Sequence, residues 1–140
     1  MDAECPELIV MRQLASYLAM PIFVQDREGN LVYFNEPAEP ILGRRFDETG
    51  ALTRQELWDL FRPKHDDGSP IGSDENPFLS ARQGREAIHR RFQLTGMDGV
   101  LRDIEGTVIP LTNRAGEIVG DFAVFWEPKR TADEGDGSIS

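Results

Sequence analysis

The sequence predicts an α+β domain: a five-stranded antiparallel sheet with short helices on one face and a helix at the N-terminus. Three observations predict it. Asp98 to Trp126 reads as two long strands joined by a tight connection. Helix signals cluster in the middle of the chain, between Asn35 and Gly84, instead of alternating with strands. Two short strand-like runs, Pro21 to Gln25 and Leu31 to Asn35, precede that helical middle. Segregated helices on one antiparallel sheet define the α+β class.

Each element has a local cause. Pro6 to Ala19 is expected to be helical, since proline suits a first turn and Leu8, Met11, Leu14 and Leu18 recur at helical spacing. Ile9, Val10, Ala15 and Tyr17 broaden its apolar surface. The two short strands are rich in β-branched and aromatic residues, and Asp26 to Asn30 supplies the hairpin connection. Asn35 is placed to cap a short helix that Gly43 ends. Thr53, with Glu56 three residues on, forms a capping box for a helix over Arg54 to Phe61. Asn76-Pro77 restarts helix and Gly84 stops it. Glu86 to Leu94 is the third strand, expected to pair Leu94 with Val100 across a loop from Thr95 to Gly99. The fourth strand alternates from Val100 until Pro110, which cannot donate to a ladder and should close it. Thr112 to Gly116 turns the chain into the nearly continuous apolar run Ile118 to Trp126, broken by Gly120 and Asp121. The organisation read from this is an amphipathic helix over 1–20, a folded domain over 21–128 and a disordered acidic tail over 129–140.

Composition narrows the function classes. A formal net charge of −10 over 140 residues repels nucleic acid and anionic membranes. No apolar run approaches the roughly 20 residues of a membrane helix. The N-terminus has no basic region followed by a long apolar run, and the single cysteine, Cys5, suits a reducing compartment, so a cytoplasmic location is expected. Catalytic chemistry finds little to work with. Cys5 lies outside the regular elements, and His65 and His89 lack any metal-ligand spacing. Asp66, Asp67, Asp74 and Glu75 lack the alternation of a calcium loop and read as a solvated loop. Gly68 and Gly72 lack the Lys-Ser/Thr of a phosphate cradle. The expectation is a protein that is not an enzyme.

Four segments, in order and at fitting spacing, resemble the PAS domain, a sensory module of bacterial kinases, phosphatases, cyclases and transcription regulators. PIFVQDREGNLVYFNEPAEPILG is similar to the family's first hairpin and helix, and DDGSPIGSDENPFLSARQGRE to the approach to its long helix. TGMDGVLRDIEGTVIPL contains a DG-x-x-R pattern, and NRAGEIVGDFAVFWE resembles the last strand. The resemblance implies a five-stranded sheet cupping helices around a small-molecule pocket, and an effector protein as partner. Many members follow the last strand with Asp-Ile-Thr, where this chain has Glu127-Pro128-Lys129, and Pro128 opposes a helix running straight on. Nothing matches the Gly-x-Asn-Cys-Arg-Phe-Leu-Gln stretch of flavin-binding members, and Asn76 to Gln83 has no axial histidine, so neither flavin nor haem is expected.

The residues placed at the pocket are Val24, Tyr33, Leu57, Phe61, Phe78, Phe92, Ile104, Val108, Phe122 and Val124, which either surround a small organic ligand or fill a dry core. Arg90 and Arg102 fall at inward positions, and a buried guanidinium needs an anionic ligand or a nearby Asp or Glu. For the N-terminal helix, Leu8, Met11, Leu14 and Leu18, together with Val119, Ala123 and Phe125 of the last strand, are expected to form a homodimer interface.

Overall fold

The computed structural model describes residues 5–72 and 77–128. Its elements are α1 (Pro6–Tyr17), β1 (Ile22–Asp26), β2 (Leu31–Phe34), a single 3-10 turn (Glu36–Ala38) running into α2 (Glu39–Leu42), α3 (Phe46–Thr49), α4 (Arg54–Phe61), α5 (Pro77–Gly84), β3 (Ile88–Thr95), β4 (Leu101–Thr112) and β5 (Ile118–Trp126). The strands form one antiparallel sheet in the order β2-β1-β5-β4-β3, so the last strand of the chain lies at its centre. The expected α+β architecture is the one observed. The expected tail over 129–140 and the Asn76 cap lie outside the described residues.

Apolar side chains seal the sheet on both faces. On one face the short helices pack over Phe23, Ala123, Phe125, Ile104 and Val108. On the other, α1 lays Leu8, Met11 and Ala15 over Ile22 and Val24, with Tyr33, Phe122 and Val124 against them. Gly120 permits the close approach of both β1 and α1, because a Cβ there would stand 2.4 Å from the Gln25 carbonyl oxygen of the strand and 2.9 Å from Leu8 Cδ2 of the helix.

Several local expectations are corrected. Pro110 does not end β4: it pairs with Asp121 inside the strand. The last β3 partner is Ile88, opposite Val108, so Pro110 lies where β4 has no neighbour on that side to receive an N–H. The β3–β4 register pairs Leu94 with Arg102 instead of Val100, and Gly96 N–H bonds the Val100 carbonyl at 2.9 Å to close the turn. The short helix α3 was not anticipated. Arg45 N–H donates to Glu48 Oε1 at 3.0 Å to start it, and the Phe46 ring meets Phe34 and Tyr33 edge-on. The capping box of α4 forms as read, with Glu56 N–H on Thr53 Oγ1 at 3.1 Å and Thr53 N–H on Glu56 Oε1 at 2.8 Å.

Asn35 occupies the expected cap position, yet its side chain makes no cap bond. It is fully buried and reaches the other way. Its Oδ1 accepts from Ile22 N–H at 2.9 Å, and its Nδ2 donates to the carbonyls of Ala15 and Met20, each at 2.9 Å. One amide therefore ties the end of α1, the α1–β1 link and the start of β1 together. Asn35→Ala would leave a buried N–H and two carbonyls without this partner, so it is expected to cost about 2–4 kcal/mol of stability in urea unfolding. A midpoint unchanged from wild type would show that water replaces all three bonds.

Candidate functional site

Between the sheet and its helices lies a cavity of about 780 Å³. Its floor comes from β1, β5, β4 and β3 through Phe23, Ala123, Phe125, Ile104, Val108 and Phe92, and its walls from α4 and α5 through Leu57, Phe61 and Phe78. Space remains partly because Gly106 and Ala123 put almost no side chain on the floor. A Cβ at Gly106 would stand 2.9 Å from Phe125 Cβ.

Of the residues read from sequence as pocket lining, Leu57, Phe61, Phe78, Arg90, Phe92, Ile104 and Val108 line this cavity. Val24, Tyr33, Phe122 and Val124 do not. They lie on the opposite face of the sheet, packed in the cluster beneath α1. The cause is a β-bulge. Thr112 pairs with Ile118, but Leu111 pairs with Gly120, so Val119 is an extra residue and every later position of β5 changes face. Ala123 and Phe125 accordingly face the cavity, and Val119 is buried at the bulge, so none of the three forms part of an outer interface. Leu8 and Met11 are also spoken for, being buried under α1 against their own sheet. Leu14 and Leu18 remain exposed.

Arg102 finds an acid instead of the cavity. Its Nη2 meets Asp98 Oδ2 at 2.8 Å and its Nη1 meets Asp98 Oδ1 at 3.0 Å, with Glu127 further off. These bonds, with the Val100 N–H, hold the exposed Asp98 carboxyl down at about 2. His89 points away from the cavity, with Nε2 2.7 Å from Glu105 Oε2 and Nδ1 2.9 Å from Thr107 Oγ1. Cys5 packs beside the α1 cluster, and among the described residues no three His, Cys, Asp or Glu side chains converge as metal ligands.

Three polar residues at one end of the cavity were missed from sequence. Asp121 is fully buried and pairs with Arg82 of α5, Nε to Oδ2 at 2.7 Å. The remaining Arg82 nitrogens donate to the carbonyls of Asp26, at 2.5 Å, and Arg27 in the β1–β2 hairpin. Gln25 lies opposite Asp121 in the β1–β5 ladder, is 5% exposed and lines the cavity, and its Oε1 has no hydrogen-bond partner. Asp121 Oδ1 is unpartnered too. An aspartate interrupting an otherwise apolar run was the available signal, because a charge there must be buried with a partner.

The comparisons with known proteins fit this geometry. The model for the PAS fold matches residues 10–128. The chain belongs to the PAS family. Among solved structures it is similar to the PAS domain of Bordetella pertussis BvgS, at 21% identity and TM-score 0.61, over 92% of this chain and 91% of that one. A Rhodobacter sphaeroides LOV protein matches at 12% identity and TM-score 0.69, over 94% and 74% of the two chains. The PAS domain of the nitrogen regulation protein NR(II) of Vibrio parahaemolyticus matches at 16% identity and TM-score 0.59, over 85% and 98%. Identities this low establish a shared fold. No curated protein matches the chain.

Burial pushes the Asp121 carboxyl up to about 7, against the opposing pull of Arg82. Between about pH 4 and 7 the folded chain thus holds a proton that the unfolded chain has released. The contribution of this group to stability falls as pH rises through that window and levels off above it, by about 1.4 kcal/mol per pH unit at most. Urea unfolding of wild type and Asp121→Asn at pH 5, 6, 7 and 8 checks the sign: the variant should gain on wild type from pH 5 to 7 and run parallel above. A constant difference across the series would mean that Asp121 stays ionised throughout.

Proposed function

We propose that this PAS domain is a non-enzymatic sensory module of signal transduction that takes a small organic molecule into its cavity and passes the change to a partner. The observation that carries the reading is the cavity itself: about 780 Å³ in volume, walled mainly by apolar and aromatic side chains, with a few polar groups at its ends. That size and composition suit small-molecule sites. A ligand that binds one conformation better than another shifts the equilibrium between them, which is all that sensing requires. The family and its neighbours in signalling proteins support the same class.

Self-association is the second part of the proposal. Once Leu8, Met11 and Ala15 are turned to the sheet, α1 still presents Val10, Leu14 and Tyr17 to solvent at 60%, 49% and 79% exposure, with Leu18 and Met20 beside them. A contiguous apolar helix face of this kind favours pairing with a second copy about a two-fold axis. The same face favours the alternative reading, a docking or dimerisation module that works without a ligand.

Native mass spectrometry of the purified chain separates the two, because it reports bound small molecules and oligomeric state together. A sensor retains or accepts a ligand of a few hundred daltons, whereas a pure docking module is a ligand-free dimer. Leu14→Glu should convert a dimer to a monomer, since it sets a charge into an apolar contact at a cost of about 2–4 kcal/mol or more. Wild type sedimenting as a monomer at about 100 μM, where micromolar affinity would fill the interface, would remove the dimer from the proposal.

A cofactor-free cavity is also part of the reading, as no His or Cys is among the described residues lining it. Untreated protein is therefore expected to be colourless. A Soret or flavin band in its visible spectrum would overturn this.

A further inference from the structure

The lining of the cavity points to a more specific ligand, an inference that rests on the proposal that the cavity binds a small molecule. Among the described residues lining it, three are arginines and none is Asp or Glu. Arg82 is already committed to Asp121 and to two hairpin carbonyls. Arg90 is not. It sits on the cavity side of β3 between Ile88 and Phe92, exposed where the sequence predicts a buried guanidinium, and among the described residues its guanidinium bonds only the carbonyl of His89, at 3.0 Å. At the other end, Gln25 presents a buried amide oxygen with no donor. Between the two ends the surface is apolar, made by Phe92, Val108, Ala123 and Phe23.

We infer that the cavity takes an elongated organic acid, with its carboxylate at Arg90, its apolar body along the sheet and a hydroxyl or N–H donor at its far end for Gln25. Charge sets the first feature, because Asp121 offsets Arg82 at the far end while Arg90 meets no Asp or Glu among the described lining residues, and a guanidinium so placed favours anions and repels ammonium groups. The buried acceptor sets the second, since an unmet carbonyl oxygen out of water is costly until a donor reaches it. Topology sets the length. Arg90 lies three strand spacings from Gln25 across the sheet and, through Gly106–Phe125 and Gln25–Asp121, four residues along it. That is roughly 20 Å between backbones. Strand side chains stand roughly perpendicular to the sheet, so this separation carries over to their ends. A ten-carbon body with an oxygen at each end spans about 14 Å, and a hydrogen bond of about 3 Å at each end brings it to that length.

Titration calorimetry of the full chain at pH 8 with 10-hydroxydecanoate, decanoate and 1,10-decanediol tests each feature. On wild type the hydroxy acid should bind tightest, about tenfold tighter than the diol and about threefold tighter than decanoate. Arg90→Gln should bring the hydroxy acid to the level of the diol, and Gln25→Leu should erase its advantage over decanoate. Arg91→Gln, on the opposite face of β3 beside Glu105 and outside the described lining, should change neither preference. Equal binding of diol and hydroxy acid to wild type overturns the acid assignment while leaving the cavity as a binding site. An order of affinities unchanged in both Arg90→Gln and Gln25→Leu overturns it as well. So does loss of the acid preference in Arg91→Gln instead of Arg90→Gln. Binding of none of the three compounds overturns this assignment, while the sensory reading falls only if native mass spectrometry also finds no ligand bound.

Discussion

The arrangement around the cavity depends on one buried ion pair, Arg82 with Asp121. A carboxylate at the centre of a sheet, out of reach of water, is tolerable only beside a cation that also satisfies its geometry. Arg82 does this from α5 and spends its other nitrogens on two carbonyls of the β1–β2 hairpin. A single side chain thus ties a helix of the cavity wall to the central strand and to the hairpin at the end of the floor. Removal of Asp121 would leave the Arg82 cation without its acid, and removal of Arg82 would leave a buried carboxyl and two hairpin carbonyls without their donor, so helix, strand and hairpin hold their positions as a set.

The two faces of the sheet are filled by different rules. Under α1 the contacts are close and apolar, and Gly120 of β5 leaves room there for Leu8 of the helix and for the Gln25 carbonyl of the neighbouring strand. On the opposite face the floor is thinned at Gly106 and Ala123, while large aromatic residues stand around the rim of the space so made. The same sheet is therefore a packing surface on one side and a container on the other. Which residue goes to which side follows from strand register alone.

That register is where the sequence was least readable. The strands, the helices α1, α4 and α5 and the fold class are legible, because period and punctuation mark them. In β5, however, both faces are buried, so no alternation of polar and apolar residues reveals which way a side chain points. An unbulged hairpin would place Phe122 and Val124 with Ile104 and Val108. The extra residue Val119 reverses them, and cross-strand pairing carries Val24 to the α1 side with Phe122. Asn35 misled for a different reason. A cap and a long-range tie use the same amide, and only the position of α1 decides between them. Arg90 and Arg102 look alike in sequence, but the β3–β4 turn brings Asp98 to the second and not to the first.

The outermost strand also bears on how this protein behaves at high concentration. β3 is an edge, and an edge with free N–H and C=O groups can recruit a strand from another molecule. At Gln93 the edge is already occupied, as Lys64 exchanges two backbone bonds with it at 2.8 Å each. Further along, His89, Arg90 and Arg91 stand exposed in succession. A second β3 approaching antiparallel would have to bring two such basic rows together, and their mutual repulsion guards against fibre-like stacking where the backbone alone would invite it.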